Sequence, residues 1–250
     1  MRTVLLTVTL CSCLNVFAQD DAIHYKIEKE VNASQGAVVS AHPLASLAGI
    51  EVMKQGGNAI DAAIATQLAL AVVYPAAGNL GGGGFMVAHL KDGRNVTIDY
   101  REAAPAKASR DMYLDSAGNP VKNLSIDGHL ACGVPGTVAG LYASLPYAKL
   151  PMIAPAIRLA EKGFAITAAE ARSLNSTQAQ FKKLNTEDNA FMRDTPWKEG
   201  DILVQEDLAN TLKRIRDKGR DGFYEGETAQ LIVDEMERAD GLITLQDLKS

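Results

Sequence analysis

The spacing of hydrophobic positions changes several times along this chain, and each change predicts an element. After a polar stretch to Gly36, Ala37-Val38-Val39-Ser40 reads as a short buried strand. Leu44 to Gln55 follows with helical spacing and is stopped by Gly56-Gly57. Asn58 caps a second helix from Ala59 to about Tyr74, in which Ile60, Ala63, Ile64, Leu68, Leu70, Ala71 and Val72 leave almost no polar face, and Pro75 ends it. A helix apolar on all sides is buried within its domain. It is not a membrane span, because Asp61, Thr66 and Gln67 interrupt the apolar run far short of the roughly 20 residues a bilayer needs.

Extended runs come next, Phe85 to Leu90 and Val96 to Tyr100, with Lys91-Asp92-Gly93-Arg94 between them. Asp-Gly between two such runs signals a β-hairpin. A two-residue Asp92-Gly93 turn pairs Phe85 with Tyr100, Val87 with Ile98 and Gly84 with Arg101. The remainder is mostly helical: Thr137 to Leu145, Pro151 to Lys162 ending at Gly163, Ala168 to about Leu174, Asp207 to Lys218 ending at Gly219, and Glu227 to Arg238. Thr244 opens a last helix. Two strand signals in front of many helices predict part of a layered α/β domain, with no repeat, linker or internal boundary.

Residues 1–18 break this pattern, carrying Arg2, an apolar run from Val4 to Leu10, and Val16-Phe17-Ala18. They predict a signal peptide, leaving residues 19–250 as the mature chain and a periplasmic or secreted location. Leu10-Cys11-Ser12-Cys13 offers a rival lipoprotein reading, though Cys11 suits it poorly. Once residues 1–18 are removed, Cys132 is the one remaining cysteine, so no internal disulfide can form, and it is expected as a small buried hydrophobe. At 47% hydrophobic and 22% charged, the chain is globular. With 25 basic and 30 acidic residues and a net charge of −5, it shows no basic surface for nucleic acid or anionic membranes.

Little in the chain announces chemistry. Gly81-Gly82-Gly83-Gly84 lacks the Gly-Lys-Ser/Thr ending of a phosphate loop and precedes a strand, so it is either a tight turn with close backbone packing or a place where a ligand nears the backbone. Arg101 stands at the end of an apolar strand. Its guanidinium suits a carboxylate ligand, but the residues by themselves favour an ion pair with Asp99 or Glu102. His42, His89 and His129 share no metal-ligand spacing, and no Gly-x-Ser-x-Gly nucleophile motif is present. Asn32, Asn95, Asn123 and Asn175 stand in glycosylation sequons, which matter only if the source glycosylates exported proteins. No cofactor or metal is implied.

Eight blocks in order are more specific than any of these features. They are Ala41-His42-Pro43-Leu44-Ala45-Ser46, Gly56-Gly57-Asn58-Ala59-Ile60-Asp61-Ala62-Ala63, Gly78-Asn79-Leu80-Gly81-Gly82-Gly83-Gly84-Phe85-Met86, and Asp99-Tyr100-Arg101-Glu102-Ala103-Ala104-Pro105-Ala106-Lys107-Ala108. Gly133-Val134-Pro135-Gly136-Thr137-Val138-Ala139-Gly140, Pro155-Ala156-Ile157-Arg158-Leu159-Ala160, Gly222-Phe223-Tyr224-Glu225-Gly226 and Gly241-Leu242-Ile243-Thr244-Leu245-Gln246-Asp247-Leu248 complete the set. From about residue 36 onward the chain resembles the γ-glutamyltransferases, or γ-glutamyl transpeptidases, of the exported bacterial type.

That resemblance implies an N-terminal nucleophile hydrolase, an αββα sandwich incomplete in this chain, made as a precursor that cleaves itself into large and small subunits. Its nucleophile is a threonine at the start of the small subunit, expected beyond Ser250. The resemblance also implies that Arg101 binds the α-carboxylate of the γ-glutamyl group. The implied partners are glutathione and other γ-glutamyl compounds, acceptor amino acids or peptides, and the small subunit. A truncated γ-glutamyl-binding or scaffolding protein is the alternative from another class, and a cephalosporin acylase fragment is the alternative within the enzymes.

Overall fold

Helix α1 (Pro43–Lys54) starts at His42, whose extended backbone leaves Nδ1 free to accept the Leu44 N–H at 3.2 Å. Computed as a structural model, the chain is described over residues 21–149, 152–185 and 187–250. The expected leader, with Cys11 and Cys13, lies outside the described residues. Helix α2 (Ala59–Val73) is capped reciprocally: Asn58 Oδ1 accepts the Ile60 and Asp61 N–H groups, and Asp61 Oδ2 accepts the Asn58 N–H at 2.7 Å. The buried Asp61 also accepts the Lys149 N–H at 2.7 Å, so the cap ties α2 to a distant segment. As expected from its apolar faces, α2 runs through the core, packed on α1. No helix among the described residues is long and apolar enough to cross a membrane.

Strands β1 (Phe85–His89) and β2 (Asn95–Asp99) form the expected antiparallel hairpin, but the register is shifted by one residue. Phe85 pairs with Asp99 and Val87 with Thr97. The cause is the turn: Leu90 N–H donates to Arg94 O and Gly93 N–H to Leu90 O, closing three residues rather than two, with Gly93 at φ +87°. Gly84 therefore pairs with Tyr100, and Arg101 is not opposite it. One face of the hairpin packs on the core through Met86 and Ala88, while Phe85 and Val87 on the other face are exposed.

Beyond the hairpin come α3 (Thr137–Ser144), α4 (Ala154–Lys162), β3 (Phe164–Ala165), α5 (Ala168–Leu184), β4 (Ile202–Leu203), α6 (Glu206–Lys218), α7 (Asp221–Tyr224), α8 (Gly226–Arg238) and α9 (Leu245–Lys249). Strands β3 and β4 pair with each other, a contact the sequence pattern does not signal. Helix α4 begins at Ala154, and Pro151 lies outside the described residues.

Two expectations are corrected here. Ala37–Ser40 makes no strand: it finds no pairing partner among the described residues, and Val39 is 92% exposed. Helix α5 continues ten residues past Leu174 to Leu184, through the poor helix formers Asn175, Ser176 and Thr177. Tertiary bonds hold it there. Asn175 accepts the Trp197 N–H and donates to the Trp197 carbonyl, while Gln178 donates to the Phe191 carbonyl.

Candidate functional site

Tyr100, one residue past β2, decides where Arg101 goes. Its backbone exchanges both hydrogen bonds with Gly84, at 3.3 and 3.0 Å, and its buried phenol donates to Gln67 Oε1 at 3.0 Å. The ring lies against α3, where a Cβ on Gly140 would fall 2.0 Å from Tyr100 Cγ. A Cβ on Gly136 would fall 2.1 Å from the Tyr100 carbonyl oxygen. Only glycines admit this contact. Side chains alternate along an extended chain, so with Tyr100 held inward Arg101 is exposed.

The ion pair favoured by the residues alone does not form. Asp99 Oδ1 instead accepts the Arg101 backbone N–H at 3.0 Å. Among the described residues, no hydrogen bond or ion pair engages the Arg101 guanidinium. It borders a cavity of ≈ 430 Å³ whose walls include Glu102, Pro105, Tyr113 and Cys132. Two backbone hydrogen bonds between Ala103 and Val134, at 3.2 and 2.8 Å, join the walls, and Asp247 Oδ1 accepts the Ala106 N–H at 2.8 Å.

Cys132 is exposed on this wall, which corrects the buried position expected for it. The short 3₁₀ turn before it and the glycine after it hold it at the rim instead of in the core. Desolvation pushes its thiol above the ordinary cysteine value, so at neutral pH it remains a poor nucleophile.

The glycine run serves packing. Gly82 O accepts the Gly136 and Thr137 N–H groups at the start of α3, and Asn79 Oδ1 accepts the Gly82 N–H and the Thr137 hydroxyl. His42, buried, sits 3.2 Å from Glu170 Oε1 and 3.3 Å from the Tyr25 hydroxyl. His129 sits 2.7 Å from Glu235. No group of three or more His, Cys, Asp or Glu among the described residues is arranged to hold a metal ion. The sequence reading missed Asp247 as part of this site, although Thr244-x-x-Asp247 is a visible capping-box signature.

Residues 45–250 match the family described as Gamma-glutamyltranspeptidase. The chain belongs to the γ-glutamyltranspeptidase family. A glutathione hydrolase proenzyme of Pseudomonas sp. (strain A14) is 47% identical over 253 residues, covering 99% of this chain and 43% of that protein. The crystal structure of Helicobacter pylori γ-glutamyltranspeptidase is similar with a TM-score of 0.82 at 47% identity, covering 88% of this chain and 65% of that one. A cephalosporin acylase from Bacillus halodurans is more distant, with a TM-score of 0.72 at 26% identity, over 90% of this chain and 45% of that one.

These relations make the fold that of the N-terminal nucleophile hydrolases, an α/β αββα sandwich that this transpeptidase-family chain forms in part. They favour the large-subunit reading over an acylase or a separate scaffolding protein. The chain spans less than half the length of the curated relatives it matches.

Proposed function

We propose that this chain is the large-subunit part of a γ-glutamyltransferase, or glutathione hydrolase, that moves the γ-glutamyl group of glutathione and related compounds to amino acids, peptides or water. The observation that carries this reading is the unclaimed Arg101 guanidinium at the mouth of the cavity. Its planar fork offers two parallel N–H donors to the α-carboxylate of a γ-glutamyl group, and it stays charged at any physiological pH. Holding that end of the substrate fixes the γ-carbonyl in place for attack.

The attacking group belongs to the small subunit of the same precursor. Its N-terminal threonine hydroxyl adds to the γ-carbonyl, the α-amine takes the proton and passes it to the departing amine, and the C–N bond breaks to leave an ester. An acceptor amine or water then breaks the ester C–O bond and returns the proton to threonine. Residues 1–18 direct export of the precursor and are removed on the way, and the enzyme acts in the periplasm or outside the cell.

The test uses the full-length, self-processed enzyme with two donors, one carrying the free α-carboxylate and one in which that group is an amide. Wild type should prefer the carboxylate strongly, and Arg101→Ala should process normally but lose most of that preference. Preserved discrimination in Arg101→Ala would remove the clamp from the mechanism.

A further inference from the structure

Resting on the reading of the Arg101 cavity as the donor site, we propose that Asp247 is a positioning residue, anchoring the Arg101 loop to the last helix through the Ala106 N–H. Within the loop Asp99 Oδ1 accepts the Arg101 N–H, and three further points tie the loop to the rest of the molecule. Tyr100 is fixed by Gly84 and the core, Ala103 by its backbone bonds to Val134, and Ala106 by Asp247. The last is made by a side chain and spans 141 residues of sequence. Along this segment Arg101 to Ala104, Ala106 and Lys107 are exposed, while Pro105 is buried.

The opposite wall leans on the same helical block. His129, beside Leu130 on that wall, pairs with Glu235 of α8 at 2.7 Å, and the Tyr224 hydroxyl of α7 donates to the Pro135 carbonyl at 2.8 Å. Helix α9 contacts both α7 and α8. The Ala103–Val134 bonds join the two walls directly, and Asp247 adds a second link from the Arg101 side to the helical block on which the other wall leans.

Asp247 is built for two tasks at once. Oδ2 accepts the Thr244 N–H at 2.8 Å and the Thr244 hydroxyl at 2.6 Å, which caps α9, and Oδ1 is left for Ala106. Burial opposes its charge, but the hydrogen bonds from Thr244 and Ala106 outweigh that and hold the carboxyl below the ordinary aspartate range. Asparagine has one acceptor oxygen, so it can serve the cap or the loop but turns an N–H₂ toward the other donor.

The experiment compares self-processed enzymes, made from the full-length precursor, carrying Asp247→Asn, Asp247→Ala or Thr167→Ala, the last removing the cap of α5 as a stability control. Hydrogen exchange over residues 101–108 and steady-state kinetics with a γ-glutamyl anilide are measured at equal distance below each thermal midpoint. Both Asp247 variants should exchange faster at 101–108 than Thr167→Ala, with Asn the milder. Losing a hydrogen bond to a charged group should raise KM about tenfold or more in Asp247→Ala, with kcat within about threefold of wild type. Unchanged exchange at 101–108, or kinetics indistinguishable from Thr167→Ala, would overturn the proposal. If wild type released no amine from the anilide, the functional reading would fail by itself, and the exchange data would still decide the anchor.

Discussion

Tyr100 and Gly140 meet with no space for one more carbon between them. The contact locks Tyr100 inward and thereby sends Arg101 outward, so packing in the core sets the direction of a binding group at the surface. Gly140→Ala should displace the ring or α3 and cost about 1–3 kcal/mol or more. A lower thermal midpoint, with greater loss of activity than an equally destabilising change elsewhere, is the expected result. An unchanged midpoint would mean the close approach does not govern packing here.

For Arg101 itself, each charge-assisted bond to a carboxylate contributes roughly 1.5–3 kcal/mol, so Arg101→Ala should lower kcat/KM by about a hundredfold or more. Arg101→Lys keeps the charge without the fork and should recover only part of this. Because the guanidinium has no partner among the described residues, both variants should keep the wild-type thermal midpoint. A marked loss of stability would point to a structural role instead.

Glu170 makes a pH prediction with a definite sign. Burial raises its pKa, but hydrogen bonds from His42 and Thr167 outweigh that and leave the carboxyl below its ordinary range. A folded-state pKa below the unfolded one adds stability that is present above the unfolded value and lost as pH falls through the folded value. Wild type should therefore lose thermal stability on acidification below the ordinary glutamate range. Glu170→Gln should be less stable at neutral pH and show a flatter acid limb, and parallel curves would contradict the assignment.

Thr66 carries the opposite kind of feature. Its Oγ1 is buried on α2 with no hydrogen-bond partner among the described residues. Replacing a desolvated, unpaired hydroxyl by a methyl of the same shape removes a cost of about 1 kcal/mol or more. Thr66→Val should raise the thermal midpoint by a few degrees. A decrease would show that the hydroxyl is satisfied in solution.

Export is checked by N-terminal sequencing of material recovered outside the cytoplasm. The mature chain is expected to begin at Gln19. Retention of Met1, or a lipid on Cys13, would contradict that reading.

Helices with complete end signals were legible from the chain itself. Asn58 before α2 and Pro75 after it, Gly163 after α4 and Gly219 after α6 act within one turn of the backbone they terminate, so their effect needs no distant partner. Arg101 was also within reach, though through family resemblance, since composition and spacing alone favoured an ion pair that does not form.

What the chain could not declare depends on segments far apart in sequence. The hairpin register turned on whether the Leu90 to Arg94 bond closes a three-residue loop, a difference of one residue that shifts every facing pair. The reach of α5 depended on Trp197 and Phe191, and the unpaired state of Ala37–Ser40 on the lack of a neighbouring strand among the described residues. The Ala106–Asp247 bond joins a capping-box aspartate to a position 141 residues away that carries no local signal of it. Caps and breakers act on their own neighbours and so can be read in order, whereas these pairings form only when collapse of the whole chain brings their partners together. The direction of Arg101 belongs to the second kind, because it follows from the fit of Tyr100 against a helix 40 residues further along.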